Sequence, residues 1–144
     1  MMIYLASPFF SESQCSRLKR VRSLCLNEGF VVWSAFFDSQ PVKPADSEEK
    51  RRAGFEENVR RVKCSDIVLA ITDEKDMGTC FELACGYMMK KIVIGYAETL
   101  GDKPFNLMLA QACDAVVKNE EELKRILAEV KEGEVDRVFQ GEIE

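Results

Sequence analysis

Residues 66–72, Asp-Ile-Val-Leu-Ala-Ile-Thr, place five apolar side chains in a row between polar ends. A strand with one wet face alternates apolar and polar residues, whereas a strand apolar throughout is covered on both faces, as in a parallel sheet with crossover helices above and below it. Other short apolar runs, at 2–6, 30–33, 91–96 and 114–117, are bounded by turn residues such as Ser7-Pro8 and by loops and read as strands of the same sheet.

Helical patterns separate these runs. Ser11 followed by Gln14 is a capping-box signature, and Leu18, Val21, Leu24 and Cys25 recur at helical spacing until Gly29. A loop carrying Asp38, Gln40, Pro41 and Pro44 follows the second strand, and Ser47 opens a helix that runs to about Cys64. The stretch 73–78 reads as a loop before a helix from about Thr79 to Lys90. A polar loop closing at Pro104 precedes a short helix near Asn106, and Asn119 with Glu122 caps a last helix to about Lys131. Strands and helices alternating at this pace make βαβ units with right-handed crossovers. The expected fold is α/β, a doubly wound five-stranded parallel sheet of flavodoxin-like or Rossmann-like kind. The 144 residues suit a single domain, 1–144, whose residues 133–144 form a C-terminal tail.

Composition narrows the chemistry. The net charge is −5 and the basic residues are scattered, so a nucleic-acid polymer is a poor partner. No apolar run approaches the roughly 18 residues of a membrane span, and the start MMIYLASPFF has no basic flank; a soluble, cytoplasmic protein away from membranes is expected. Six cysteines lie in apolar periodic segments with no Cys-x-x-Cys pair, and they read as reduced core thiols. The chain has no histidine, which excludes Ser-His-Asp and Cys-His catalysis. The working groups must come chiefly from carboxylates, Tyr, Lys or Cys.

Ligands of such sheets bind beyond the carboxyl ends of the strands. That rule selects 7–10, 38–40, 73–82 and 97–106. The third of these runs Asp73-Glu74-Lys75-Asp76-Met77-Gly78-Thr79-Cys80-Phe81-Glu82, placing Glu82 in the first turn of the next helix, where the helix dipole favours an ionised carboxylate suited to nucleophilic attack. From position alone, Asp76 and Glu82 read first as ordinary helix N-terminal acids, each worth a few tenths to about 1 kcal/mol.

The stretches IYLASPFFSESQ, NVRRVKCSDIVLAITDEKDMGTCFELACGY and DKPFNLMLAQACDAVV resemble, in order and spacing, the nucleoside 2-deoxyribosyltransferase family, from residue 3 to about residue 117. The units are an Ile-Tyr-Leu-Ala-Ser-Pro-Phe-Phe, an Asp-x-Gly-x-x-x-Glu centred on Gly78, and a Pro-x-Asn-Leu-Met. The resemblance implies that Glu82 is the nucleophile, that Tyr4 orients it, and that Asp76 binds the sugar-hydroxyl side of the site. It also implies that Asn106 reaches the sugar 5′ end of a neighbouring subunit in a homo-oligomer, a dimer or hexamer with shared sites. Gln40 resembles a base-contacting glutamine, and Phe9 and Phe10 fit a base-stacking wall. Read without the family, Tyr4 is equally a strand aromatic, Asn106 a helix cap, and Phe9 and Phe10 core.

The implied reaction moves 2-deoxyribose between nucleobases through a glycosyl-glutamate, with retention and without metal or organic cofactor. Nucleosides and free nucleobases are its partners. Cleavage of the N-glycosidic bond builds positive charge at C1′, which a carboxylate below the ring stabilises and captures. At Asn58 the chain departs from many members, which resemble one another in an aspartate there that protonates the leaving base; an amide cannot do so. The alternatives are an N-glycosidase, in which water takes the sugar, and a nucleotide-sensing module that binds without turnover. The tail VFQGEIE faintly resembles a C-terminal segment that packs near an active site in the family.

Overall fold

Five parallel strands, β1 (Met2–Ala6), β2 (Val31–Trp33), β3 (Ile67–Ile71), β4 (Ile92–Tyr96) and β5 (Ala115–Val117), lie in the order β2-β1-β3-β4-β5. The structure is a computed structural model and describes residues 1–135 and 139–144. Its helices are α1 (Glu12–Asn27), α2 (Ala35–Asp38), α3 (Glu48–Cys64), α4 (Met77–Met88), α5 (Leu107–Ala112) and α6 (Glu120–Glu132). This is the expected doubly wound sheet. The strand order reverses direction between β1 and β3, which defines a switch point there.

The apolar run that announced the sheet becomes its centre. Every residue of β3 is buried, and full burial of each Val, Leu or Ile side chain contributes about 1.5–3 kcal/mol. Ile67, Leu69 and Ile71 face Leu18, Val21 and Leu127 of α1 and α6, while Val68 and Ala70 share the opposite face with Val62 of α3 and Leu83 of α4. The helix starts follow the expected chemistry. Ser11 and Gln14 form the full capping box of α1, Ser47 accepts from Lys50 N at 3.2 Å, and Asn119 accepts from Glu122 N at 2.8 Å.

Three local expectations need correction. The loop after β2 contains α2, a single four-residue helical turn whose Asp38 accepts from Ser34 N at 2.8 Å. Helix α4 begins at Met77 because Asp76, three residues before Thr79, is its cap; Glu82 therefore stands in the second turn, beyond the strongest reach of the helix dipole. The cysteines are all free thiols, but only Cys25 and Cys113 are buried, and Cys64 at the end of α3 is exposed. Among the described residues, no helix is long and apolar enough to cross a membrane.

Candidate active site

Tyr4 stands in the middle of β1 with its side chain on the face covered by α3 and α4. Its hydroxyl donates to Glu82 Oε1 at 2.5 Å, so the switch-point strand and the helix after β3 meet in one hydrogen bond. Burial raises the Glu82 carboxyl from its ordinary 4.5 to about 7; the Tyr4 hydrogen bond opposes that rise, and the charge of Asp76 adds to it. The Tyr4 hydroxyl is pushed far upward, by burial first and then by Glu82's charge, and remains a proton donor.

Asp76 caps α4: its Oδ2 accepts from Thr79 N at 2.8 Å and from Thr79 Oγ1 at 2.9 Å. A Cβ at Gly78 would lie 3.2 Å from that oxygen, so the glycine leaves room for the folded-back carboxylate. The cap reading of Asp76 is thus a structural fact, and its charge adds to the rise of the Glu82 carboxyl.

Phe9 and Phe10 are not core. They are exposed and stacked at 5.6 Å, and Phe9 meets Phe36 of α2 at 5.5 Å. Gln40 is exposed just past α2, and Asn58 is half-buried on α3. Asn106 caps α5, accepting from Leu109 N at 3.2 Å, and lines a 340 Å³ cavity with Thr72, Asp73, Lys75 and Phe105. Tyr4 and Glu82 do not line that cavity. Among the described residues, no hydrogen bond joins Gln40, Asn58 or Asn106 to the Tyr4–Glu82 pair. Of the tail VFQGEIE, Val138 lies outside the described residues. Phe139 packs on Phe105 at 5.5 Å, and Phe105 N donates to Glu142 O at 2.8 Å. Glu144 pairs with Lys75 at 2.9 Å, so the end of the tail lies beside the Asn106 segment.

Two features escaped the sequence. Buried Arg17 of α1 bonds Glu74 at 2.6 Å and Glu98 at 2.8 Å, tying together the loops after β3 and β4. Trp33, the last residue of β2, stacks on Tyr4. Their signals were an arginine within an otherwise apolar helical stripe and the single tryptophan at a strand end. No group of three His, Cys, Asp or Glu side chains among the described residues is placed to hold a metal.

Fold and site together define an α/β protein of 2-1-3-4-5 strand order with a half-buried, tyrosine-bonded carboxylate at its switch point. The model of the nucleoside 2-deoxyribosyltransferase family matches residues 3–121, and the chain belongs to that family, whose members act on nucleosides and nucleobases. Among solved structures it is similar to a 2-deoxyribosyltransferase from the psychrotolerant bacterium Bacillus psychrosaccharolyticus, at 25% identity and a TM-score of 0.75, with 86% of this chain and 90% of that one covered. A conserved protein from Enterococcus faecalis V583 shares the fold at 16% identity and a TM-score of 0.72, covering 90% and 98%. A CMP N-glycosidase of Clostridium botulinum does so at 16% identity and a TM-score of 0.58, covering 89% and 98%. No curated protein is a significant match in sequence.

Proposed function

We propose that the chain, acting as one cytoplasmic domain, transfers 2-deoxyribose between nucleobases in nucleoside salvage. The observation that carries this reading is the 2.5 Å hydrogen bond from Tyr4 to the half-buried Glu82 at the switch point, in a chain of this family. Ionised Glu82 attacks C1′ of the nucleoside. The N-glycosidic bond breaks, its electron pair leaves with the base, and an ester forms between C1′ and Glu82. A second base then attacks C1′ from the face the first one left, the ester bond breaks, the base's N–H proton is released to solvent, and Glu82 is regenerated as a carboxylate. Two inversions give net retention.

Tyr4 fixes the attacking oxygen through its hydrogen bond, and Asp76 takes a sugar hydroxyl. Gln40 contacts the base, which stacks against Phe9 and Phe10. Asn58 hydrogen-bonds the base without protonating it, so the leaving base draws its proton from solvent. Asn106 serves the 5′ end of a sugar held by a second subunit. Support for that last assignment is its separate position in the cavity of the loops after β3 and β4, beside exposed Leu107 and Met108.

The test is incubation of the protein with 2′-deoxynucleosides, with and without a second free base, followed by chromatography. The expected result is the exchanged nucleoside, formed faster than free sugar, and its loss in Glu82→Ala. Free sugar and base alone, across all common acceptors, would instead establish an N-glycosidase. Binding without turnover would establish a sensing module.

A further inference from the structure

Behind the Tyr4–Glu82 pair stands an aromatic stack. Tyr4 and Trp33 occupy matched positions on the paired strands β1 and β2, so their side chains leave the sheet on the same face. Their ring centroids are 5.1 Å apart and the planes are 28° from parallel. The Arg61 guanidinium of α3 lies 5.6 Å from the indole centroid, and Arg61 Nε is itself held by Glu57 Oε1 at 2.6 Å. Trp33 is only 4% exposed, yet its buried Nε1–H has no acceptor among the described residues. A buried donor left unpaired costs stability. The position therefore uses the flat area of the indole, since its N–H contributes nothing there.

We propose that Trp33 is a positioning residue for the transfer reaction: its indole, steadied by Arg61, clamps the Tyr4 ring at the tilt that keeps the hydroxyl on Glu82. This rests on the reading of Tyr4 and Glu82 as the reacting pair. The clamp matters because the bonding oxygen sits at the far end of the phenol. A rocking of the ring by about 10° carries the hydroxyl about 1 Å, and a misplacement of that size costs up to about a hundredfold in rate. Tyr4 has no other aromatic neighbour among the contacts of the described residues.

The test is a double-mutant cycle, since a residue that acts through another loses its effect once that other is gone. Trp33→Leu and Trp33→Phe are made in the natural chain and in Tyr4→Phe. In the natural chain, Trp33→Leu is expected to lower kcat about tenfold or more with KM changed less than about threefold, and Trp33→Phe, which keeps a stacked plane, to recover most of the loss. In Tyr4→Phe, Trp33→Leu should cost less than about twofold further. An equal drop in both backgrounds would overturn the proposal and make Trp33 ordinary packing. Turnover unchanged in both Tyr4→Phe and Glu82→Gln would remove the reacting pair itself, and the clamp with it. If Trp33→Leu does not fold, Arg61→Gln loosens the stack from α3. Trp33 is the only tryptophan, so its emission is then expected to shift to the red as kcat falls, and a red shift with kcat unchanged would equally sink the clamp.

Discussion

A carboxylate that attacks C1′ has to be ionised, yet it is most effective where water is excluded, and Glu82 stands between those demands. Burial raises its carboxyl to about 7 while Tyr4 pulls it back. In the proposed reaction the free enzyme is active with Glu82 deprotonated, so kcat/KM is expected to rise as pH increases through about 7. Tyr4→Phe removes the donor that favours the anion. The acid limb should then move to higher pH, with a larger loss of kcat/KM at pH about 6 than at pH about 8. A pH profile of each protein checks both statements, and a limb that stays in place or moves down would show that Tyr4 does not favour the Glu82 anion. The same residues show how far the sequence reached. Glu82 and Asp76 lie where the strand-end rule looks, whereas Tyr4 is inside a strand, where that rule is blind, and only the family motif singled it out. Trp33 and Arg61 escaped both routes. Their contact depends on the register that sets Tyr4 against Trp33 and on how α3 packs, and neither is written in local periodicity.

At the scale of elements, α4 has to approach the sheet closely enough for Glu82 to meet a side chain rooted in β1. Gly86 allows that approach. It lies four residues after Glu82, hence on the same helical face, and a Cβ there would stand 2.7 Å from Val68 Cγ2 and 3.0 Å from Val68 Cβ. Val68 is completely buried and cannot swing away. Gly86→Ala is therefore expected to destabilise the fold by about 1–3 kcal/mol through overpacking, despite the roughly 1 kcal/mol that alanine gains over glycine in a helix. It should also lower kcat, because lifting α4 moves Glu82 off Tyr4. Urea unfolding and steady-state kinetics measure the two effects, and a variant as stable and as active as the natural chain would show that α4 has slack. Element existence was legible because apolar runs and caps repeat along the chain. Two boundaries were not. The four residues of α2 are too few to show a helical period, and between Asp73 and Thr79 the chain offers several capping side chains, among which folding selects Asp76. Gly78 read as a loop residue, but it is a helical one whose missing Cβ accommodates that cap.

For the whole molecule, the question is which chain completes each site. Asn106 lines its cavity with Asp73 and Lys75, and Tyr4 and Glu82 are absent from that lining. The surface around Asn106 includes Leu107 and Met108, 43% and 74% exposed, and α4 exposes Met77, Phe81 and Met88 along its length. Apolar side chains at spacings of four and seven share a helix face, and extended exposed apolar surface of this kind marks a site of association. In the proposed homo-oligomer, Asn106 of one subunit then serves the sugar held by Glu82 of another. Two inactive proteins test this: Glu82→Gln, and Asn106→Ser, which retains a good helix cap while losing the amide. Each alone is expected to be strongly impaired. Once subunits have exchanged, a mixed dimer has one site with both substitutions and one with neither, so a random equimolar mixture should recover about a quarter of the natural activity, because half of the dimers are mixed and each has one intact site of two. Mass spectrometry of the mixture verifies exchange. Exchanged dimers without recovered activity would place Asn106 in the site of its own chain, or in none.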